Sequence, residues 1–154
     1  MSASTWDRIT PEGQKFFAEI DRLKNQEVFV GYQSGDAEDN GADVAQVAAW
    51  NELGTYHMPS RPFLRMSVDD NAGKINSMCT AALKSVTSGG GAEECLKKLG
   101  VFAVSLVQKK IRDGSFAPNA PSTIAKKGSD KPLIDTGRMI QSTKYVIRAK
   151  GSGG

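Results

Sequence analysis

The chain has 154 residues, of which 39% are hydrophobic and 24% charged, and its formal net charge is +3. That is an ordinary globular balance, long enough to bury a core without disulfide staples and short for two full domains. It excludes a disordered chain, and no run reaches the roughly 18 apolar residues of a membrane helix.

Thr10-Pro11-Glu12 opens the first expected helix, with Thr10 as N-cap and Pro11 in the first helical position, where a missing N–H costs nothing. Phe16, Ile20 and Leu23 follow at helical spacing. Glu27 to Tyr32 is rich in β-formers and predicts a strand. Gln33 to Ala42 reads as a polar loop. Asp43 caps a second helix, which shows Val44, Val47, Ala48 and Asn51 on one face and ends at Gly54. A linker with Pro59 leads to Arg61-Pro62-Phe63-Leu64, the start of a third helix expected to run unbroken to about Val86. Thr87 to Gly91 predicts a flexible break. A fourth helix, from Ala92 to about Arg112, stops at Asp113-Gly114. Ser115 to Leu133 has no period and holds Pro118, Pro121 and Pro132, so it predicts a long loop, an arm for a partner. Ile134 to Gly137 reads as a turn or helix start, and Tyr145-Val146-Ile147 as a last strand. The expected fold class is α+β: a small, mostly antiparallel sheet packed by three to four helices, with a long proline-containing arm. One domain is expected over residues 1–150, followed by a flexible Gly/Ser tail at 151–154.

Charge is unevenly spread. Residues 1–91 carry 8 Lys/Arg and 12 Asp/Glu, a balance of −4, and residues 92–154 carry 12 and 5, a balance of +7. Such a chain can bind nucleic acid through its basic half, present opposite charges to neighbouring copies of itself, or simply solvate two surfaces of different sign. Lys109-Lys110 and Lys126-Lys127 suit phosphate contact, and the first pair equally suits a helix C-terminus, where cations offset the macrodipole. Met1 to Arg8 lacks a basic start followed by an apolar stretch, so the expectation is no export signal and assembly in a cytoplasm.

Metal and catalytic chemistry find little support. Cys79 and Cys95 form no CxxC pair and His57 is the only histidine, so a four-ligand zinc site has no donors. The two thiols are expected to be reduced. Asp36 to Gly41 follows the opening of an EF-hand loop, but Val47 stands where the bidentate glutamate belongs. His57 has no evident nucleophile or orienting partner. No cofactor, metal or catalytic residue is expected.

Two segments carry more information. Asn51-Glu52-Leu53-Gly54-Thr55 leads to Pro59-Ser60-Arg61-Pro62-Phe63-Leu64-Arg65, where Arg61 and Arg65, four apart, would share a helix face. Such guanidiniums are solvated, salt-bridged or turned to a partner. The second segment runs from Pro118 to Gly137.

Together these segments resemble the tailed-phage virion-morphogenesis and tail-completion (head–tail connector, neck) family. The matching residues are Gly54-Thr55, Pro59 through Arg65, Lys127 through Ser129, Pro132 through Gly137, Ser142 and Tyr145, with Met139 where leucine is common. The likeness spans about residues 27–148. It implies an α+β structural protein without enzymatic activity, found in the virion at the neck or proximal tail end and in the host cytoplasm during assembly. It implies a ring of identical copies, a hexamer by the sixfold symmetry of tail tubes, joined to neck and tail-tube proteins. DNA passes through the channel without sequence-specific reading, and no membrane is involved. A tail-terminator ring capping the tail tube is the alternative within the class, and a nucleic-acid-binding accessory protein the alternative outside it. Arg61, Phe63, Arg65, Lys109, Lys110, Lys126, Lys127 and Thr136 are the candidate interface residues.

Overall fold

The computed structural model describes residues 9–36, 41–128, 130–134 and 137–152. In chain order the elements are α1 Pro11–Lys24, β1 Gln26–Gly31, α2 Val44–Leu53, α3 Phe63–Asp69, α4 Ala72–Thr87, α5 Ala92–Asp113, α6 Pro121–Lys127, α7 Arg138–Gln141 and β2 Lys144–Ala149. The fold is α+β: β1 and β2 pair antiparallel as a two-stranded sheet, and helices pack on it. The chain forms two compact units, one of residues 1–29, 73–100 and 146–154, the other of residues 30–72 and 101–145. Among the described residues, no helix is long and apolar enough to cross a membrane.

In the first unit, local chemistry sets the helix ends. Thr10 caps α1, its Oγ1 accepting from Gly13 N at 3.1 Å, and Pro11 stands in the first turn. Glu19 reaches from α1 to α5, where its Oε2 accepts from Ala92 N at 2.8 Å and answers a donor the helix start leaves open. Val86, Ala92, Cys95 and Leu96 are buried. The glycine run after α4, expected as a flexible break, is an ordered stop. Gly89 takes φ +92°, Gly89 N donates to Val86 O at 3.1 Å, and Gly90 N donates to Ser85 O at 2.8 Å, the bonding of a Schellman motif. Both thiols are free, Cys79 half-buried and Cys95 buried with Sγ 3.4 Å from Ala82 O. Gly151 and Ser152 of the expected tail form a turn in which Ser152 N donates to Ala149 O at 3.1 Å; residues 153–154 lie outside the described part.

The second unit holds a contiguous apolar core. Val44 and Ala48 of α2, Phe63 of α3, Val107 and Ile111 of α5, Leu133, and Met139 of α7 are buried together, with Val30, Tyr32, Leu64 and Phe116 among those packed around them. Tyr32 meets the Phe63 ring edge-on, centroids 6.1 Å apart, and its hydroxyl lies 3.0 Å from Thr143 Oγ1. Asp43 caps α2 as expected, Oδ1 accepting from Ala45 N at 2.9 Å.

Three expectations need correcting. The third helix is two, α3 and α4, because Asp70 and Asn71 break it with turn bonds (Asn71 N to Val68 O, 3.2 Å), and the Asn71 amide donates to Ser67 O at 2.8 Å. The stretch Ser115–Leu133 is not one long loop: Pro121 begins α6 and Gly128, at φ +70°, ends it. Seven helices rather than three or four stand among the described residues, because the third expected helix is two and the short α6 and α7 add to the rest.

Candidate functional site

Arg61 organises the second unit. Gly54 ends α2 at φ +77°, and a Cβ there would lie 2.8 Å from Ser60 N, so only glycine lets the chain double back this closely. The return is a tight turn, Thr55 N donating to Met58 O at 2.8 Å. Ser60 Oγ then donates to Glu52 O at 2.7 Å and Arg61 N to Asn51 O at 2.6 Å, which holds Arg61 against the end of α2. Pro62, at φ −77° and ψ 61°, is the centre of an inverse γ-turn closed by Phe63 N donating to Arg61 O at 2.7 Å. Phe63 drops into the core. The α3 start lacks a cap of its own, and Glu52 supplies one: its carboxylate accepts from Leu64 N at 2.8 Å and Arg65 N at 3.1 Å.

The Arg61 residue is only 3% exposed. Its Nε donates to Ala117 O at 2.7 Å, and its Nη2 to Pro118 O at 3.1 Å and Asn119 Oδ1 at 3.2 Å. Nη1 reaches Asn51 Oδ1 at 3.4 Å, an oxygen positioned by the Asn51 amide donating to Val47 O at 2.9 Å. All four acceptors are neutral, and among the described residues no carboxylate joins them. Burial accordingly pushes the guanidinium pKa below its ordinary value. The Nδ2 of Asn119 is buried without a hydrogen-bond partner. One side chain thus ties the segment before α3 to the segment before α6.

The candidate interface residues fall into different settings. Arg61 and Phe63 are interior. Arg61 and Arg65 do not share a helix face, because α3 begins at Phe63 and the γ-turn takes Arg61 off the helix; Arg65 is exposed. Lys109 and Lys126 are exposed. Lys110 Nζ pairs with Asp70 Oδ2 at 2.6 Å, and Lys127 Nζ donates to Lys131 O at 2.8 Å. Thr136 lies outside the described residues. Of the acidic loop, residues 37–40 do so too. Asp36 Oδ2 pairs with Lys144 Nζ at 2.7 Å, Asp43 is spent on its cap, and among the described residues no cluster of metal-ligating side chains occurs. His57 is exposed, its ring edge-on to Tyr56 at 5.0 Å.

Asn51 and Glu52 open the first informative segment and Asn119 lies in the second, but sequence assigns them no role, because the partners that matter here, Arg61, Leu64 and Arg65, lie across turns. Compared with known protein families, curated proteins and solved structures, the chain finds no match.

Proposed function

We propose that this chain is a structural component of a tailed-phage virion, a tail-completion or neck protein. It stands as a ring of identical copies around the DNA channel where tail joins head, with neck and tail-tube proteins as partners. It works by docking and not by catalysis.

The observation that carries this reading is the Arg61 tie. The two stretches of sequence that resemble the tail-completion family are far apart in the chain, yet Arg61 of the first binds the backbone of Ala117 and Pro118 at the edge of the second. Phe63, Leu133 and Met139, from the same stretches and their border, share one core. Arg61, Phe63 and Leu133, which stand within the two stretches, thus help to build one unit, and this supports the reading.

Ion pairing weighs against a phosphate-binding stripe. Lys97 and Lys98 face Glu93 and Glu94 at 2.9 and 3.1 Å, and Lys110 and Lys144 face Asp70 and Asp36. Four cations of the basic half are thus already answered, which reduces the counterion release that drives nucleic-acid binding.

Gold-labelled antibody against this chain, applied to purified virions, tests the proposal. Label at the head–tail joint is expected. Virions that lack the chain, or label on the capsid shell or along the tail shaft, overturn it.

A further inference from the structure

In the first unit, little packing holds α1 in place. It buries no residue fully, whereas α2 buries Val44 and Ala48, α4 buries Val86, and α5 buries Ala92, Cys95 and Leu96. The apolar face of α1, Phe16, Ile20 and Leu23, is only half-buried, and Phe17 is 53% exposed. The edge-on pair of Phe16 and Phe17, centroids 5.4 Å apart, lies within α1 and ties it to nothing else.

A cleft of about 350 Å³ separates α1 from the end of α4. Glu12, Lys15, Phe16 and Glu19, at helical spacing on one face of α1, line it together with Val86 to Gly90. Atoms that face each other across such a space are out of contact, so dispersion contributes little there. Among the described residues, two hydrogen bonds cross from α1 to the turn between α4 and α5. That of Lys15 Nζ to Gly89 O is long, 3.5 Å, and exposed. Glu19 makes the close one: its side chain is 13% exposed, and its Oε2 accepts from Ala92 N at 2.8 Å. The C-terminal end of α1 is held separately, because its C-cap Asn25 accepts from Lys150 N at 2.8 Å, just past β2.

We infer that α1 is a strap that opens by itself, hinged at Asn25 and caught by Glu19. Opening widens the cleft and presents Val86, 2% exposed when the strap is closed, while β1, α4 and α5 stay folded. A helix of 14 residues is marginal alone in water, so the open strap also frays. The chain thus has two states that differ in one apolar surface, and the strap sets which is shown. The device rests on the first unit alone and is independent of the virion reading.

Hydrogen exchange of the full-length chain, followed amide by amide by NMR, tests the inference. The amides from Phe16 to Leu23 should exchange about 100-fold or more faster than those from Leu96 to Gly100 of α5, because local opening needs less free energy than unfolding the unit. Glu19→Ala removes a charged hydrogen bond and should speed the α1 amides by a further factor of roughly 5 to 30. The Leu96–Gly100 amides should stay within about twofold of wild type. Glu19→Gln keeps an acceptor for Ala92 N and should recover most of the protection. Wild-type α1 amides as slow as those of α5 would overturn the inference. So would α1 rates unmoved by Glu19→Ala, or α1 and α5 rates raised together, which would make Glu19 a support of the whole unit.

Discussion

Replacing Arg61 probes the tie between the two segments. Its guanidinium makes three bonds of 2.7, 3.1 and 3.2 Å and a longer one of 3.4 Å, all to neutral oxygens. Hydrogen bonds to a charged group are worth about 1.5–3 kcal/mol each. Three good ones therefore give a gross gain near 5–9 kcal/mol, offset by several kcal/mol for burying the ion. Removing the side chain also strands the carbonyls of Ala117 and Pro118. Arg61→Ala should cost about 3–5 kcal/mol, a fall in melting temperature of roughly 6–20 °C for a chain of this size. Arg61→Lys keeps the charge but loses the planar fork, so it should still lose about 2 kcal/mol. Arg61→Met separates bonding from space-filling: it restores volume but leaves the carbonyls unpaired, and should remain about 2 kcal/mol below wild type. Denaturant unfolding gives the stabilities, and proteolysis between Gly114 and Ala120 should quicken in all three variants. A Met variant as stable as wild type would refute the reasoning.

Asn119→Asp removes the buried amide that lacks a partner and sets a carboxylate against Arg61, so stability at neutral pH should rise by about 1–2 kcal/mol. Its folded pKa would lie below the unfolded value near 3.9, so the gain holds above about pH 4 and fades as pH falls; a neutral or destabilising result at pH 7 counts against it. Phe63→Ala empties a fully buried site beside Tyr32 and should cost about 3–5 kcal/mol in denaturant unfolding. Glu52→Ala uncaps α3 and should cost about 1–2 kcal/mol, with Glu52→Gln losing less because it keeps an acceptor; equal losses would point to some other role for Glu52.

Elements set by neighbours in sequence were legible. Thr10 and Asp43 cap the helices they precede, Gly54 stops α2, and α5 runs the full length expected from Ala92 because its apolar positions keep helical spacing throughout. What sequence concealed depends on contacts across turns. Arg61 read as a surface or partner-facing charge, since nothing near it in sequence shows that two carbonyls more than fifty residues on would receive it. Glu52 read as one more helix residue, though it caps a different helix. The break at Asp70-Asn71 had a signal in three successive turn-formers, overridden by the apolar spacing on either side. The short α6 lay hidden among prolines, one of which, Pro121, starts it. The exposed Trp50, Leu53 and Tyr56 could not be told from core by residue type; only the structure separates them.

A reconstruction of the assembled particle decides the proposed role. The chain should appear as a closed ring of identical copies, six by the resemblance, coaxial with the DNA channel at the junction of tail and head. A single copy, or a twofold dimer off the tail axis, would contradict it.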